Sequence, residues 1–145
     1  MHDHPRLAAL AVVIRGDDVL LVRRRNPPDA GLWGYPGGHV DLGETVQAAA
    51  ARELQEETGV TATPRQMIDA LDIIERDESG AVRFHFLLVA VLCDWVAGVP
   101  QAADDVHDAA WVPLSEVVAG RRPSSKDVDR IALAARDILD FKSNT

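Results

Sequence analysis

The sequence predicts an α+β fold in which a mixed β-sheet is sandwiched between helices, an α/β/α arrangement, and two observations lead there. Blocks rich in Val, Leu and Ile with strand character are separated by segments of helical character over what reads as one core. Within one strand block both alternating faces are largely apolar: Phe84, Phe86, Leu88 and Ala90 share one, and His85, Leu87, Val89 and Val91 share the other. A strand apolar on both sides belongs to a sheet covered on both sides.

The elements follow in order. Leu7–Arg15 and Val19–Arg25 read as two strands joined tightly through Gly16-Asp17-Asp18. Asn26 to Gly38 carries three Pro and four Gly in NPPDAGLWGYPGG, which excludes a helix or a central strand and predicts a loop of defined shape. Thr45 to Thr58 is strongly helix-forming, with Thr45 as cap and Gly59 as stop. Gln66–Arg76 and Ala81–Trp95 flank the turn Asp77-Glu78-Ser79-Gly80 as a long hairpin. A loop over Val96–Asp105, a short strand at Asp108–Val112 and a short helix at Leu114–Ala119 come next. Apolar residues at 131, 133, 134, 135, 138, 139 and 141 predict a closing amphipathic helix starting near Ser124 or Ser125. One domain over 5–141 is expected, with 1–4 and 142–145 as flexible termini.

The chain has 145 residues, with 15 Lys+Arg against 23 Asp+Glu and a formal charge of −8. That balance argues against a protein that neutralises duplex nucleic acid along a basic face, while leaving small phosphorylated ligands open. Cys93 is the only cysteine, so an internal disulfide and a multi-cysteine zinc site are excluded. The apolar stretch Leu7–Ile14 is too short to span a bilayer, so no membrane association is expected, and a reducing cytoplasm is the expected compartment.

The predicted helix at 45–58 carries the chemistry. Glu53, Glu56 and Glu57 fall on one third of its circumference, where like charges repel, and two of them sit in the last turn, where the helix dipole disfavours anions. A solvated acidic stripe is the plain alternative. A bound cation offsets the same repulsion, and an oxygen-only donor set points to Mg²⁺ or Mn²⁺.

The surrounding residues decide between them. Gly38, five residues, Glu44, seven residues, Arg52-Glu53-Leu54, one residue, Glu56-Glu57, one residue, Gly59-Val60 resembles the signature of the Nudix hydrolases at every position. The resemblance implies a Mg²⁺-dependent hydrolase, with Mn²⁺ as the other candidate ion, in which water attacks a pyrophosphate of a nucleoside diphosphate linked to another moiety. It also implies Glu53, Glu56, Glu57 and the carbonyl of Gly38 as metal ligands, and Arg52 as the residue that orients a glutamate. Glu44 favours the positive end of the helix dipole and is balanced between capping and a water-mediated approach to metal. In relatives a carboxylate from a loop beyond the hairpin takes part as base. Here that loop offers Asp104, Asp105 and Asp108, with Asp105 as first choice, against Glu53 and a plain surface loop.

The substrate side is read from four places. Of Arg23, Arg24 and Arg25, strand alternation favours Arg23 or Arg25 for a phosphate. Trp33 and Tyr35 are balanced between stacking on a base and packing, whereas Phe84 and Phe86 are read as core. His39 follows the glycine pair and is balanced between phosphate and solvent. Cys93, inside LLVAVLCDW, is read as a core thiol. The run RFHFLLVAVLC followed by DDVHDAAWVPLSEV is similar to small bacterial ADP-ribose pyrophosphatase-like members, implying ADP-ribose or a related nucleotide sugar. A (d)NTP pyrophosphohydrolase of the antimutator type, a non-catalytic nucleotide sensor and a cysteine-dependent isoprenoid diphosphate isomerase remain as alternatives. A homodimer is compatible with the long hairpin.

Overall fold

The computed structural model describes residues 4–27, 29–103 and 106–143. Along the chain run β1 (Arg6–Arg15), β2 (Asp18–Arg24), β3 (Trp33–Gly34), β4 (Gly37–His39), α1 (Val46–Thr58), β5 (Thr61–Arg76), β6 (Val82–Ala97), β7 (Val106–Pro113), α2 (Leu114–Val118) and α3 (Val128–Ser143). β1 organises the sheet. One of its edges pairs in parallel with β6, from Arg6 opposite Phe86 to Val13 opposite Cys93, while β5 closes the antiparallel hairpin outside β6. The other edge of β1 is shared. Ala8, Ala9 and Leu10 pair with β4, whereas Ile14 and Arg15 pair with β2, which then peels away to β7 and β3. The sheet is therefore mixed, as the sequence predicts, and it splits at β1.

Alternation along β1 and β6 divides the interior. Ala9, Ala11, Val13, Val89, Val91 and Cys93 face α1, where they bury Ala49, Ala50 and Leu54. Val12, Ala90 and Leu92 face the opposite layer, built from Leu114, Val117, Ile131, Ala132 and Ala135 of α2 and α3. Each fully buried Leu or Ile adds about 1.5–3 kcal/mol, so both helical layers are held by the same strands. No helix among the described residues is long and apolar enough to cross a membrane.

Several boundaries differ from the sequence reading, each for a tertiary reason. β5 begins at Thr61 and contains Pro64, because β5 is an edge strand whose register shifts between Pro64 and Gln66, a place where a missing N–H is tolerated. The Gly/Pro segment holds the two short strands β3 and β4, which exist through their partners on β2 and β1 and not through local propensity. The last helix begins at Val128; residues 123–125 instead run alongside β3, with Trp33 N–H donating to Pro123 O at 2.9 Å and Ser125 N–H to Trp33 O at 2.8 Å.

Candidate active site

The carboxylates come from α1, whose ends are set locally. Thr45 caps it by accepting from Ala48 N–H at 3.0 Å, an interaction worth about 1 kcal/mol. At the other end Gly59 adopts φ 76 and donates to Gln55 O, a left-handed stop that glycine takes without strain. The last carbonyls are then used by the loop between β6 and β7: Gln101 N–H donates to Thr58 O and Ala103 N–H to Glu57 O, both at 2.9 Å. That loop is thereby fixed against the acidic end of the helix.

Glu53, Glu56 and Glu57 line one cleft of about 820 Å³, whose opposite walls come from the segment after β2, from β5 and β6, and from the start of α3. The three differ in surroundings. Glu57 is buried, and its Oε2 accepts from Gly37 N–H at 3.0 Å. Glu53 is half-buried, and loss of water pushes its carboxyl above the usual range, with the neighbouring Arg52 pulling partly the other way. Glu56 is exposed.

Arg52 is the hub. Its Nε and Nη2 grip Glu44 at 2.8 and 2.9 Å, its Nη1 reaches Glu53 at 2.9 Å and Glu56 at 3.2 Å, and Nη2 also donates to His39 O at 3.0 Å. Only a planar guanidinium offers donors in that fan. Glu44, held by Arg52 and by the Asp41 N–H, has its carboxyl lowered to about 2. It serves as the counter-charge that orients Arg52, and the helix cap is Thr45.

The glycines bring β4 against these acids. A Cβ on Gly38 would lie 2.5 Å from Glu53 Cδ and 2.7 Å from both its oxygens, and one on Gly37 would collide with the Ala9 carbonyl. The backbone therefore meets Glu53 at a distance no side chain permits.

A model of the NUDIX domain matches residues 4–132. The chain belongs to the Nudix hydrolase family. Members of that family act on phosphoric anhydrides, and its fold is the one described above. An ADP-ribose pyrophosphatase of Methanocaldococcus jannaschii is 31% identical over 114 residues, 79% of this chain and 65% of the relative, so the chain spans just under two thirds of that protein. A protein named putative 8-oxo-dGTP diphosphatase 2 of Mycobacterium tuberculosis is also 31% identical, over 86% of this chain and 96% of its own length. Among solved structures, the NUDIX domain of Shewanella oneidensis NrtR, crystallised with ADP ribose, superposes with a TM-score of 0.75 at 28% identity, covering 95% of this chain and 90% of that one.

Nudix hydrolases generally need a divalent metal, and the donor set here has the right chemistry: three carboxylates without thiolate or paired imidazole, beside a backbone stripped of side chains. The carboxylates are spread, not closed around a point. Among the described residues no group of three His, Cys, Asp or Glu side chains is arranged to hold an ion. Arg52 Nη1 instead bridges Glu53 and Glu56.

The substrate-side residues fall out unevenly. Tyr35 lines the cleft but is buried, its hydroxyl donating to Val128 O at 2.5 Å, and burial raises its pKa well above the ordinary phenol value. It props the start of α3. His39 is exposed in the cleft wall, its ring 5.8 Å from that of Phe86. Arg25 lines the cleft together with Arg24, and Arg23 does not. The reason is that β2 ends at Arg24, with Val22 and Arg24 on the cleft side, so Arg23 points elsewhere and Arg25 turns in from the loop. Trp33 is not in the lining either. It is buried in the core, with the Arg122 guanidinium 4.4 Å from its ring. Phe84 and Phe86, read as core, are half-exposed cleft walls in stacked contact at 6.3 Å. Asp105 lies outside the described residues. Cys93 is buried beneath α1, and burial pushes its thiol up to about 12. Sequence reasoning missed Asp29, Ser125, Lys126 and Asp127 in the lining. For the last three the only local signal is the turn-forming SSKD before the last helix, and for Asp29 it is the Pro/Gly-rich loop that holds it.

Proposed function

We propose that this Nudix hydrolase is a Mg²⁺- or Mn²⁺-dependent pyrophosphohydrolase that cleaves a nucleoside diphosphate linked to another moiety, with ADP-ribose or a related nucleotide sugar as substrate. The observation that carries it is the face of α1: Glu53, Glu56 and Glu57 open into one cleft beside Gly37-Gly38, with Arg52 aiming two of them. In this reading Glu53, Glu56, Glu57 and the Gly38 carbonyl hold the ions. Bound there, a divalent ion neutralises phosphate oxygens and lowers the pKa of water.

The chain's own groups do the rest. Arg52 keeps Glu53 and Glu56 in position, and Glu57 is fixed through the Gly37 N–H. Water attacks a phosphorus, the anhydride P–O bond breaks, and the proton passes to a carboxylate. Two carboxylates compete for that proton. Glu53 is supported by its raised carboxyl, and Asp105 by its neighbours, since Ala103 is bonded to Glu57 O and Val106 lines the cleft. An Asp105→Asn variant that loses the acidic limb of the pH–rate profile assigns the base to Asp105; an unchanged profile assigns it to Glu53. Arg25 and His39 are the phosphate contacts in this reading, and Arg23 and Trp33 drop out of it.

A second reading, a (d)NTP pyrophosphohydrolase, is favoured by the full-length similarity to the protein named as an 8-oxo-dGTP diphosphatase. The sensor reading is disfavoured by the intact acidic face, and the isomerase reading by the buried Cys93. Incubation with ADP-ribose and, separately, the four dNTPs, under Mg²⁺, Mn²⁺ or EDTA, separates them. AMP and ribose phosphate establish the first reading, a dNMP with pyrophosphate establishes the second, and no metal-dependent product overturns both.

A further inference from the structure

Among the described residues, two that are not glycine hold a left-handed backbone: Asp29 at φ 64 and Asp127 at φ 70. Both line the cleft, Asp29 from the loop between β2 and β3 and Asp127 from the turn into α3. Non-glycine residues adopt this conformation uncommonly, and they gather where a side-chain direction is put to use. A second observation sits beside them. The Ser125 hydroxyl, also in the cleft lining, exposes less than 1 Å² and has no hydrogen-bond partner. A buried hydroxyl left unpaired is unfavourable until a ligand completes it.

The charges sharpen the point. A pyrophosphate is polyanionic, so carboxylates in the wall of its cleft repel it unless they face something neutral and rich in donors. For the glutamates of α1 a cation answers that objection. Asp29 and Asp127 stand on other loops, away from α1 in sequence and in element. Asp127 is only loosely paired, at 3.4 Å from Arg130 Nε, because that guanidinium is engaged more closely by Asp69 at 2.7 Å. An ionised carboxylate only accepts hydrogen bonds, and the hydroxyl groups of a sugar are neutral donors that suit it.

We propose that Asp127, with Asp29 and Ser125, reads the hydroxyl groups of a sugar attached beyond the pyrophosphate, which makes a nucleotide linked to a polyhydroxylated group the preferred substrate class. This rests on the pyrophosphohydrolase reading and narrows it. The three residues determine specificity and take no part in bond breaking.

The backbone supplies a clean test. Glycine is the residue best suited to φ 70, so Asp127→Gly removes the carboxylate while keeping the turn. Asp127→Asn, which also tolerates the left-handed region and keeps one acceptor, is the milder companion. Calorimetric titration of ADP-ribose and of ADP, each as its uncleavable α,β-methylene analogue and in Mg²⁺, is run on wild type and both variants. The expected result is tighter binding of ADP-ribose than of ADP by wild type, a loss of about tenfold for ADP-ribose against at most about twofold for ADP in Asp127→Gly, and an intermediate loss in Asp127→Asn. No preference in wild type, or an equal loss for both ligands, overturns the proposal. Product analysis with Mg²⁺ runs in parallel. If wild type hydrolyses pyrophosphates without an Asp127-dependent preference, this inference falls alone. If the Asp127-dependent preference is present and no hydrolysis occurs, the specificity site stands and the hydrolase reading falls.

Discussion

Gly37 and Gly38 are adjacent, and replacing each with Ala is expected to fail in a different way. The added methyl at 38 would sit 2.5 Å from Glu53 Cδ, against a normal carbon–carbon contact of about 3.5 Å. Something must retreat by about 1 Å. It will be the Glu53 carboxylate, because Gly38 is pinned in the ladder opposite Ala9 while Glu53 is the far end of a flexible side chain. Folding should suffer little, about 1 kcal/mol or less, since no backbone has to move. Turnover should suffer far more, because displacing a catalytic group by about 1 Å costs on the order of 10²-fold. At 37 the methyl meets the Ala9 carbonyl and the Leu10 backbone, both part of β1, so Gly37→Ala is expected to cost stability, about 2–3 kcal/mol. The assay pairs thermal melting with Mg²⁺-dependent phosphate-product formation for both variants. Full kcat in a folded Gly38→Ala protein refutes the argument, because it would mean that Glu53 does its work from a displaced position or does none.

Other expectations follow from the same geometry. Glu57→Gln keeps the size of a buried side chain and an oxygen for the Gly37 N–H, so it should melt close to wild type while losing most turnover; near-normal kcat would remove Glu57 from the metal site. Arg52→Gln takes away the charge shared by Glu44, Glu53 and Glu56, so the EDTA-treated protein should melt lower and gain more from added Mg²⁺ than wild type does; an equal Mg²⁺ response speaks against Arg52 standing in for a cation. Cys93 sets a pH dependence of folding. Its thiol is raised by burial from 9.0 to about 12, so the unfolded chain loses this proton first and stability falls as pH climbs from about 9 towards 12, by about 1.4 kcal/mol per pH unit. Below 9 the contribution is fully present. Denaturant titrations at pH 8, 9 and 10 should show the onset of that loss, small from 8 to 9 and steeper from 9 to 10, in wild type and not in Cys93→Ala, in the range before the buried Tyr35 hydroxyl adds its own loss. An identical slope in both proteins would place the burial cost elsewhere.

What the sequence revealed was what short stretches of chain decide by themselves. The helix at Val46–Thr58 has its cap, its stop and its acidic face within one window, and the Asp77–Gly80 turn likewise carries its own instructions. Residues whose roles depend on a distant partner were not legible. Two-residue β3 exists because β2 and the 123–125 segment flank it, and that packing buries Trp33. Whether Arg23 or Arg24 faced the cleft hinged on where β2 ended. Asp127 gives no hint in sequence that its backbone will turn left-handed opposite an acidic helix 70 residues earlier in the chain.

The parallel pairing of β1 with β6 has a kinetic consequence. It joins Ala8 to Leu88 and Val13 to Cys93, contacts that demand closure of a long loop before they repay it. The capped helix and the β5–β6 hairpin need no such closure and form from neighbours in sequence. The cleft has no existence until β1 docks, since β1 alone carries β4 to the glutamates and β6 to the opposite wall. Recovery of activity during refolding should therefore track the slowest phase, lagging the return of helical signal.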